Sequence, residues 1–420
     1  MRVTGPAFGN RDTLTATPFI ASEHPYRWAV LAGLWFIYFC FGITTTSLAP
    51  LVQPITRDLG ISHAAMGGVL GAWPLVYIAA AIPSGALMDR LGPRRTLFLA
   101  MLVISLSAVL RGMAETHLTL FIAVATFGLG GPLVSIGAPK LVSLWFEGKE
   151  RGLAMGIYIT GPSLGAVAAL SLTNSVFMPF FDGDWRRVLS AYALLTLAAA
   201  LVWLAVSGHP ASRAMEKKVA AEPREGQLKI FAKLLAQRPV QLIMAMSICM
   251  FFVTHGLGNW LAEILRSGGM TAAAAGYWAS IPMVIGIASA LLIPRLATPS
   301  RRTAILAGLI FIAGVATLLL QAGDGPLLAI ALICHGIVRG AMTTVTVLLL
   351  METPGVGSRH TGAASGLFFS AAEMGGVLGP LSIGILHDAS GNFSSALFAL
   401  TAACVVLLAL LGLLHRTGKQ

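Results

Sequence analysis

The residues best placed to do chemistry in this chain are ionisable side chains set inside long apolar runs. Arg339 follows His335 by four residues within one such run. Residues four apart on a helix share a face, so a fixed cation and an imidazole would look the same way. A charge at mid-bilayer costs about 2.5–3.5 kcal/mol on insertion scales, which marks such residues as site candidates. A guanidinium brings five donors in a planar fork, which suits a carboxylate or a small oxyanion. Glu373 lies in the next run, in Ala-Glu-Met-Gly-Gly-Val-Leu-Gly-Pro (Ala372–Pro380). It is either the static partner of Arg339 or a proton carrier. His255 and Asn259 are one turn apart in Thr254-His255-Gly-Leu-Gly-Asn259-Trp260 and could line a polar cavity. A buried His is more often a hydrogen-bonded packing residue, and both readings stay open. Lys140, near one end of its run, can snorkel to the interface or attract and gate a substrate. Tyr38, Tyr158 and Trp73 are candidate cavity aromatics whose default role is packing.

The elements that must position these residues are membrane helices. The chain has 420 residues, 56% of them hydrophobic, with a mean hydropathy of +0.81. Charged residues make up 11%, against about 25% in an ordinary soluble domain. Most of the chain therefore has lipid as its solvent. A spanning helix needs about 20 mostly apolar residues. Twelve runs qualify: Trp28–Leu48, Ala64–Leu87, Thr96–Met113, Leu118–Leu144, Leu153–Met178, Val188–Val206, Val240–Leu265, Ala272–Leu296, Thr303–Gln321, Leu327–Leu350, Gly362–Leu386 and Ser394–Leu414. The first has the least regular end, where Thr44, Thr45, Thr46, Pro50 and Pro54 interrupt the pattern.

An even number of spans puts both termini on one side. The loops and tails on that side hold 21 Lys and Arg against five on the other, namely Arg57, Arg111, Arg186, Arg187 and Arg266. The positive-inside rule makes the richer side cytoplasmic, in the plasma membrane. The net charge of +11 thus reflects topology, and a nucleic-acid partner is not expected. The N-terminal stretch lacks the charged-then-apolar pattern of a cleaved signal. Cys40, Cys249, Cys334 and Cys404 sit singly in apolar runs and read as small buried hydrophobes. No metal or cofactor spacing is present.

One long polar segment, 209–239, divides the chain into residues 27–208 and 240–415, with short tails at 1–26 and 416–420. It reads as a linker, with a surface helix near Leu228–Leu235. The two halves repeat. Gly60–Gly67 matches Gly269–Gly276, Arg95-Thr96 matches Arg302-Thr303, and Gly152, Gly156 and Gly165 match Gly362, Gly366 and Gly375. A near-constant offset of 207–210 residues, in chain order, signals a duplicated unit with a midplane cavity between the copies. The loop after the second run reads Gly85-Ala-Leu-Met-Asp89-Arg90-Leu-Gly92-Pro-Arg94-Arg95.

That loop resembles the signature Gly-x-Leu-Ala-Asp-Arg-x-Gly-Arg-Arg of the major facilitator superfamily. A degraded copy at Pro294–Arg302, without its acid, occupies the matching place in the second half. The resemblance implies an all-α membrane protein of twelve transmembrane helices in two pseudo-symmetric six-helix bundles, working as a monomer by alternating access. It implies that helices one, four, seven and ten line the pathway, so that Arg339 faces the substrate. It also implies that Gly85, Asp89, Arg90, Gly92, Arg94 and Arg95 form a latch that closes the cytoplasmic side in the outward-facing state. Gly85 would let helices approach closely there.

Gly161, Pro162 and Gly165 in the fifth run, with Gly375 and Gly376 in the eleventh, allow bending and close contact between the halves. The fifth run resembles the antiporter motif of family drug exporters, with altered spacing and Ala166 in place of the last Gly. The Arg that exporters carry near the start of helix four is missing from Phe127–Gly131, which weakens a proton–drug antiport reading. His255-Gly-Leu-Gly-Asn259-Trp260-Leu resembles the cyanate and nitrate porter branches. The expected function is secondary transport of a small anion, with protons as a candidate coupling ion. The alternative is efflux of an amphipathic drug or metabolite. An enzyme or sensor would need a polar catalytic cluster or a soluble signalling domain, and no phosphate-binding Gly-x-x-x-x-Gly-Lys loop is present.

Overall fold

A computed structural model describes residues 24–213, 232–322, 325–353 and 356–417, apart from the side chains of 357–361. Among these residues the regular structure is helical, with no strand. In lipid an unpaired backbone amide has no water to turn to, so each apolar run closes its hydrogen bonds on itself. Eleven helices are long and apolar enough to cross a membrane. One of them, His63–Gly112, has 50 residues. At 1.5 Å per residue that is about 75 Å, more than twice a hydrocarbon core of roughly 30 Å. It is two passes, because Gly92 at φ 76° and ψ 163° breaks the rod.

The twelve passes are α1 (Arg27–Thr46), α2 (63–91), α3 (93–112), α4 (His117–Trp145), α5 (Gly148–Leu172) and α6 (Trp185–Ser207), followed by α7 (Arg238–Ser267), α8 (Ala272–Leu296), α9 (Arg302–Leu319), α10 (Pro326–Met351), α11 (Gly357–Ser390) and α12 (Ser394–Thr417). Their starts follow local chemistry. Ser62 and Thr271 accept from the amides of Ala65 and Ala274, Asp184 from those of Arg186 and Arg187, and Thr116 with Thr119 forms a reciprocal cap. The irregular end of the first run is a helix stop at Thr46, a 3-10 turn at Ala49–Leu51 and a short helix Val52–Leu59. Most of the expected linker, and the first half of its expected surface helix, lies outside the described residues; residues 232–235 are helical.

Within each half, helices meet at glycines. A Cβ at Gly165 of α5 would stand 2.1 Å from the Phe39 carbonyl of α1, and one at Gly375 of α11 would stand 1.9 Å from the Ile248 carbonyl of α7. These two glycines are repeat mates, and they make the same contact in the two bundles. Gly161 packs on Tyr38 and Trp35, and Gly42 packs on the Pro162 carbonyl. Gly161, Gly165 and Gly375 therefore bind helices inside one half, where contact between halves was expected.

Contacts between the halves use other glycines. Gly67 of α2 would place a Cβ 2.5 Å from the Pro380 carbonyl of α11, and its repeat mate Gly276 of α8 one 2.2 Å from the Leu170 carbonyl of α5. Gly384 meets the His63 carbonyl at 2.2 Å in the same sense. All three lie toward the face opposite the helix ends that carry the termini. Nearer the terminal face, Gly156 and Leu291 stand at an ordinary 3.8 Å. The two bundles are thus clasped on one face.

Gly375→Ala should lower the midpoint of thermal unfolding in detergent, in keeping with an overpacking cost of about 1–3 kcal/mol. Gly412→Ala, whose Cβ meets nothing within 4 Å, should leave it unchanged. Equal midpoints would refute the packing of α11 on α7.

Candidate functional site

A cavity of about 280 Å³ opens between α5, α7, α8 and α10. Ile159, Thr160 and Ser163 reach it from α5, and Phe251, Thr254 and His255 from α7. Residues from Met283 to Leu291 supply the α8 wall, and Arg339, Gly340, Thr343 and Thr344 the α10 wall. Helices seven and ten take part as the resemblance implies, but α1 and α4 give this cavity no lining residue. Close packing makes it possible, since a Cβ at Gly340 would lie 2.1 Å from the Gly286 carbonyl.

Arg339 is the cation of this cavity. Its guanidinium lies against Gly258 of α7, 3.4 Å from where a Cβ would stand. His335 lies one turn before it on α10, and His255 lines the same cavity. Among the described residues it forms no ion pair, and Glu373 faces His255 instead. The static Arg339–Glu373 pair considered from the sequence is therefore not formed here. An unpaired guanidinium on a cavity also lined by Thr160, Ser163, Thr254, Thr343 and Thr344, of which Thr160 and Thr254 already donate to the Ile157 and Met250 carbonyls, can bind an anion through charge-assisted hydrogen bonds.

Glu373 is buried, with its Oε2 3.8 Å from Nδ1 of His255. Neither atom has a hydrogen-bond partner among the described residues. Gly376 leaves the space in which they meet, since a Cβ there would stand 2.5 Å from Oε2 and 2.7 Å from Nδ1. Two residues of the other half close over them. The Trp73 ring lies 5.5 Å from the His255 ring, and the Tyr77 ring packs edge-on against Trp73 at 6.2 Å.

The remaining candidates are placed elsewhere. His335 is buried one turn behind Arg339. Asn259 spends its amide on the His255 carbonyl at 2.9 Å. Tyr38 donates to the Val134 carbonyl at 3.3 Å and packs edge-on against Tyr158, so both are buried in the first bundle. Lys140 donates to Asp89 at 2.8 Å and thus belongs to the signature loop. In that loop Gly92 makes the break that turns α2 into α3, and the Thr96 hydroxyl caps its carbonyl at 2.8 Å. Trp203 donates to the Arg94 carbonyl at 3.0 Å. Arg90 and Arg95 are exposed. Gly85 faces open space, so no close helix approach uses it in this state. The acid lacking from the second copy comes from Glu352 at the end of α10, which pairs with Arg302.

Two features escaped the sequence reading. Arg111, counted there as a loop charge, is 1% exposed at the end of α3. Its Nη1 donates to the Thr44 carbonyl at 2.6 Å and to Ser47 Oγ at 3.1 Å, and its guanidinium lies 5.6 Å from the Phe127 ring. It caps the carbonyls that α1 exposes where it ends. The hydroxyls of α10 also went unread, because threonine in an apolar helix commonly bonds back to its own backbone.

Known proteins place this architecture. The chain is 27% identical to the uncharacterized transporter YycB of Bacillus subtilis (strain 168), covering 90% of this chain and 91% of that one. It is 23% identical to the probable galactarate/D-glucarate transporter GudP of Escherichia coli (strain K12), over 87% and 89% of the two chains. It is 27% identical to the 2-nitroimidazole transporter of the same strain, over 94% and 97%. A bacterial homolog of the human lysosomal transporter Spinster, in an inward-facing and unoccupied conformation, has the same fold, with a TM-score of 0.71, 19% identity and coverage of 94% and 98%. The family model for the Major Facilitator Superfamily matches residues 34–380, and with twelve spans in two matched bundles the chain belongs to that superfamily.

Proposed function

We propose that this protein is a secondary transporter of a small organic anion, moved by alternating access of its two bundles. The observation that carries the reading is Arg339, an unpaired guanidinium on a hydroxyl-lined cavity between the halves. Size supports it: about 280 Å³ falls just below the roughly 300–1,000 Å³ usual for drug-sized ligands. A hydroxylated carboxylate would use both the guanidinium and the hydroxyls, and the relative GudP is named for galactarate and D-glucarate. The second reading, export of an uncharged or cationic amphiphile, draws on the relative named for 2-nitroimidazole.

The charge bias supports cytoplasmic termini in the plasma membrane. The clasped face is then the external one, and the cavity belongs to an inward-facing state. Glu373 is the candidate proton carrier, because its carboxyl faces an imidazole with a gap that a proton or a small displacement would close. Asp89 and Lys140 belong to the latch. In this state Lys140 pairs with Asp89 within the first half.

A thermal-shift screen of detergent-purified protein against aldarates, monocarboxylates and lipophilic cations tests the substrate class, since a binder stabilises the folded state by mass action. A carboxylate should raise the melting temperature. Arg339→Ala should weaken that binding about 10- to 100-fold, as expected for loss of a charge-assisted contact of about 1.5–3 kcal/mol. A shift produced only by cations, indifferent to Arg339, would establish the second reading instead.

In proteoliposomes, Glu373→Gln should abolish uptake driven by a pH gradient while counterflow exchange of substrate continues. Uptake that still follows the gradient would remove Glu373 from coupling. Asp89→Asn should slow turnover and leave binding affinity unchanged. Wild-type turnover in that variant would remove the latch.

A further inference from the structure

On the clasped face, far from the cavity, two imidazoles and a carboxylate from opposite halves come together. Asp388, at the end of α11, accepts from the backbone amides of His63 and Ala64 at 3.1 and 2.8 Å, so it caps the start of α2 across the interface. Nδ1 of His63 lies 3.4 Å from Asp388 Oδ1, and Nδ1 of His387 lies 3.8 Å from the same oxygen. One ring nitrogen from each histidine and one carboxylate oxygen all lie within 4.8 Å of one another. Nδ1 of His387 is buried and has no hydrogen-bond partner among the described residues. The two rings, 3.9 Å apart, are held by Trp260 beside His63 and Phe393 beside His387.

We propose that His63, His387 and Asp388 form a binding site for a divalent transition-metal ion, Zn²⁺ above all, that bridges the two halves and holds this face shut. The donor set decides the class of ion. Two imidazole nitrogens and one carboxylate suit zinc and its neighbours, whereas Mg²⁺ and Ca²⁺ prefer oxygen alone. Zinc–nitrogen and zinc–oxygen bonds of about 2.0–2.2 Å in a tetrahedron put neighbouring donors about 3.3 Å apart. The 3.4 Å edge already has that span, while the 3.8 Å edge and the imidazole–imidazole edge, within 4.8 Å, would close by side-chain rotation as the ion binds. Water or chloride would complete the shell. The other acid nearby, Glu263, is already paired with Arg266 at 2.5 Å, so Asp388 is the carboxylate that faces the two imidazoles.

The site exists only while this face is closed. His63 belongs to the first half and the other two donors to the second, so opening the face pulls them apart. A bound ion favours the closed state by its differential affinity for it, and it should slow transport from that side.

The test uses full-length protein purified on a tag without histidine and stripped of metal. Zn²⁺ titrated by calorimetry should bind at one equivalent, and Co²⁺ should give the intense visible absorption of a tetrahedral site. His63→Ala and His387→Ala should each weaken Zn²⁺ binding at least tenfold. Asp388→Asn, which keeps one oxygen to cap α2, serves where those variants fail to fold, and it should weaken binding likewise. Nitroxide labels on Glu115→Cys and Ser267→Cys, one per half on this face, should show Zn²⁺ narrowing the distance distribution to its short component. Absence of stoichiometric binding, binding that survives all three substitutions, or binding that leaves the distribution unchanged would overturn the proposal.

Discussion

Helix pairs in a bilayer gain little from burying apolar surface, because lipid is as apolar as leucine. What holds them is contact between backbones, and backbones touch only where no side chain stands between them. The glycine-on-carbonyl contacts are therefore the constraint on which the other features depend. Gly165 on Phe39 and Gly375 on Ile248 fix α5 to α1 and α11 to α7 by the same device in both bundles. Gly67 on Pro380 and Gly276 on Leu170 repeat it between the bundles. One duplicated set of glycines thus specifies both the bundle interiors and the clasped face.

The chemistry follows from that packing. Because α11 lies directly on α7, the Glu373 carboxyl and the His255 imidazole must share a narrow space, and Gly376 is what leaves it open. Because α10 lies directly on α8 at Gly340 and Gly286, the Arg339 guanidinium is directed into the gap between the halves and away from lipid. A charge at such depth is retained only where it has partners or a wet cavity. Arg111 is the contrasting case. It is fully buried at the end of α3, yet its Nη1 is spent on the Thr44 carbonyl and the Ser47 hydroxyl, which makes it a structural cap.

The sequence carries the first of these layers well and the second poorly. Spans, duplication and the Gly92 break are legible because they are local: run length, a constant offset and one glycine in a charged loop. Which glycine meets which carbonyl is a property of two helices at once. Gly376 and Gly85 read alike in the chain, yet one leaves room for Glu373 to face His255 while the other faces open space. The same limit hid Lys140, whose partner Asp89 lies 51 positions away, and Arg111, which falls at the end of an apolar run and looks like a loop residue. Arg339 was legible as a site candidate because burying a lone charge is costly whatever its neighbours are.

The two faces are held by interactions of different kinds, and that asymmetry is what alternating access needs. The closed face combines backbone contact at Gly67, Gly276 and Gly384 with an acid, Asp388, capping a helix of the other half. On the terminal face the ion pairs Asp89–Lys140 and Arg302–Glu352 each stay within one half, and the first has side chains 39% and 31% exposed. An exposed pair of that kind contributes only about 0–1 kcal/mol. An interaction this weak can be exchanged for another without creating a deep trap. A two-state carrier must keep its states within the few kcal/mol that a bound solute can redistribute. A clasp of glycines and one carboxylate, opposed by at least one shallow ion pair, is a balance that the proposed binding of an anion at Arg339 would tip.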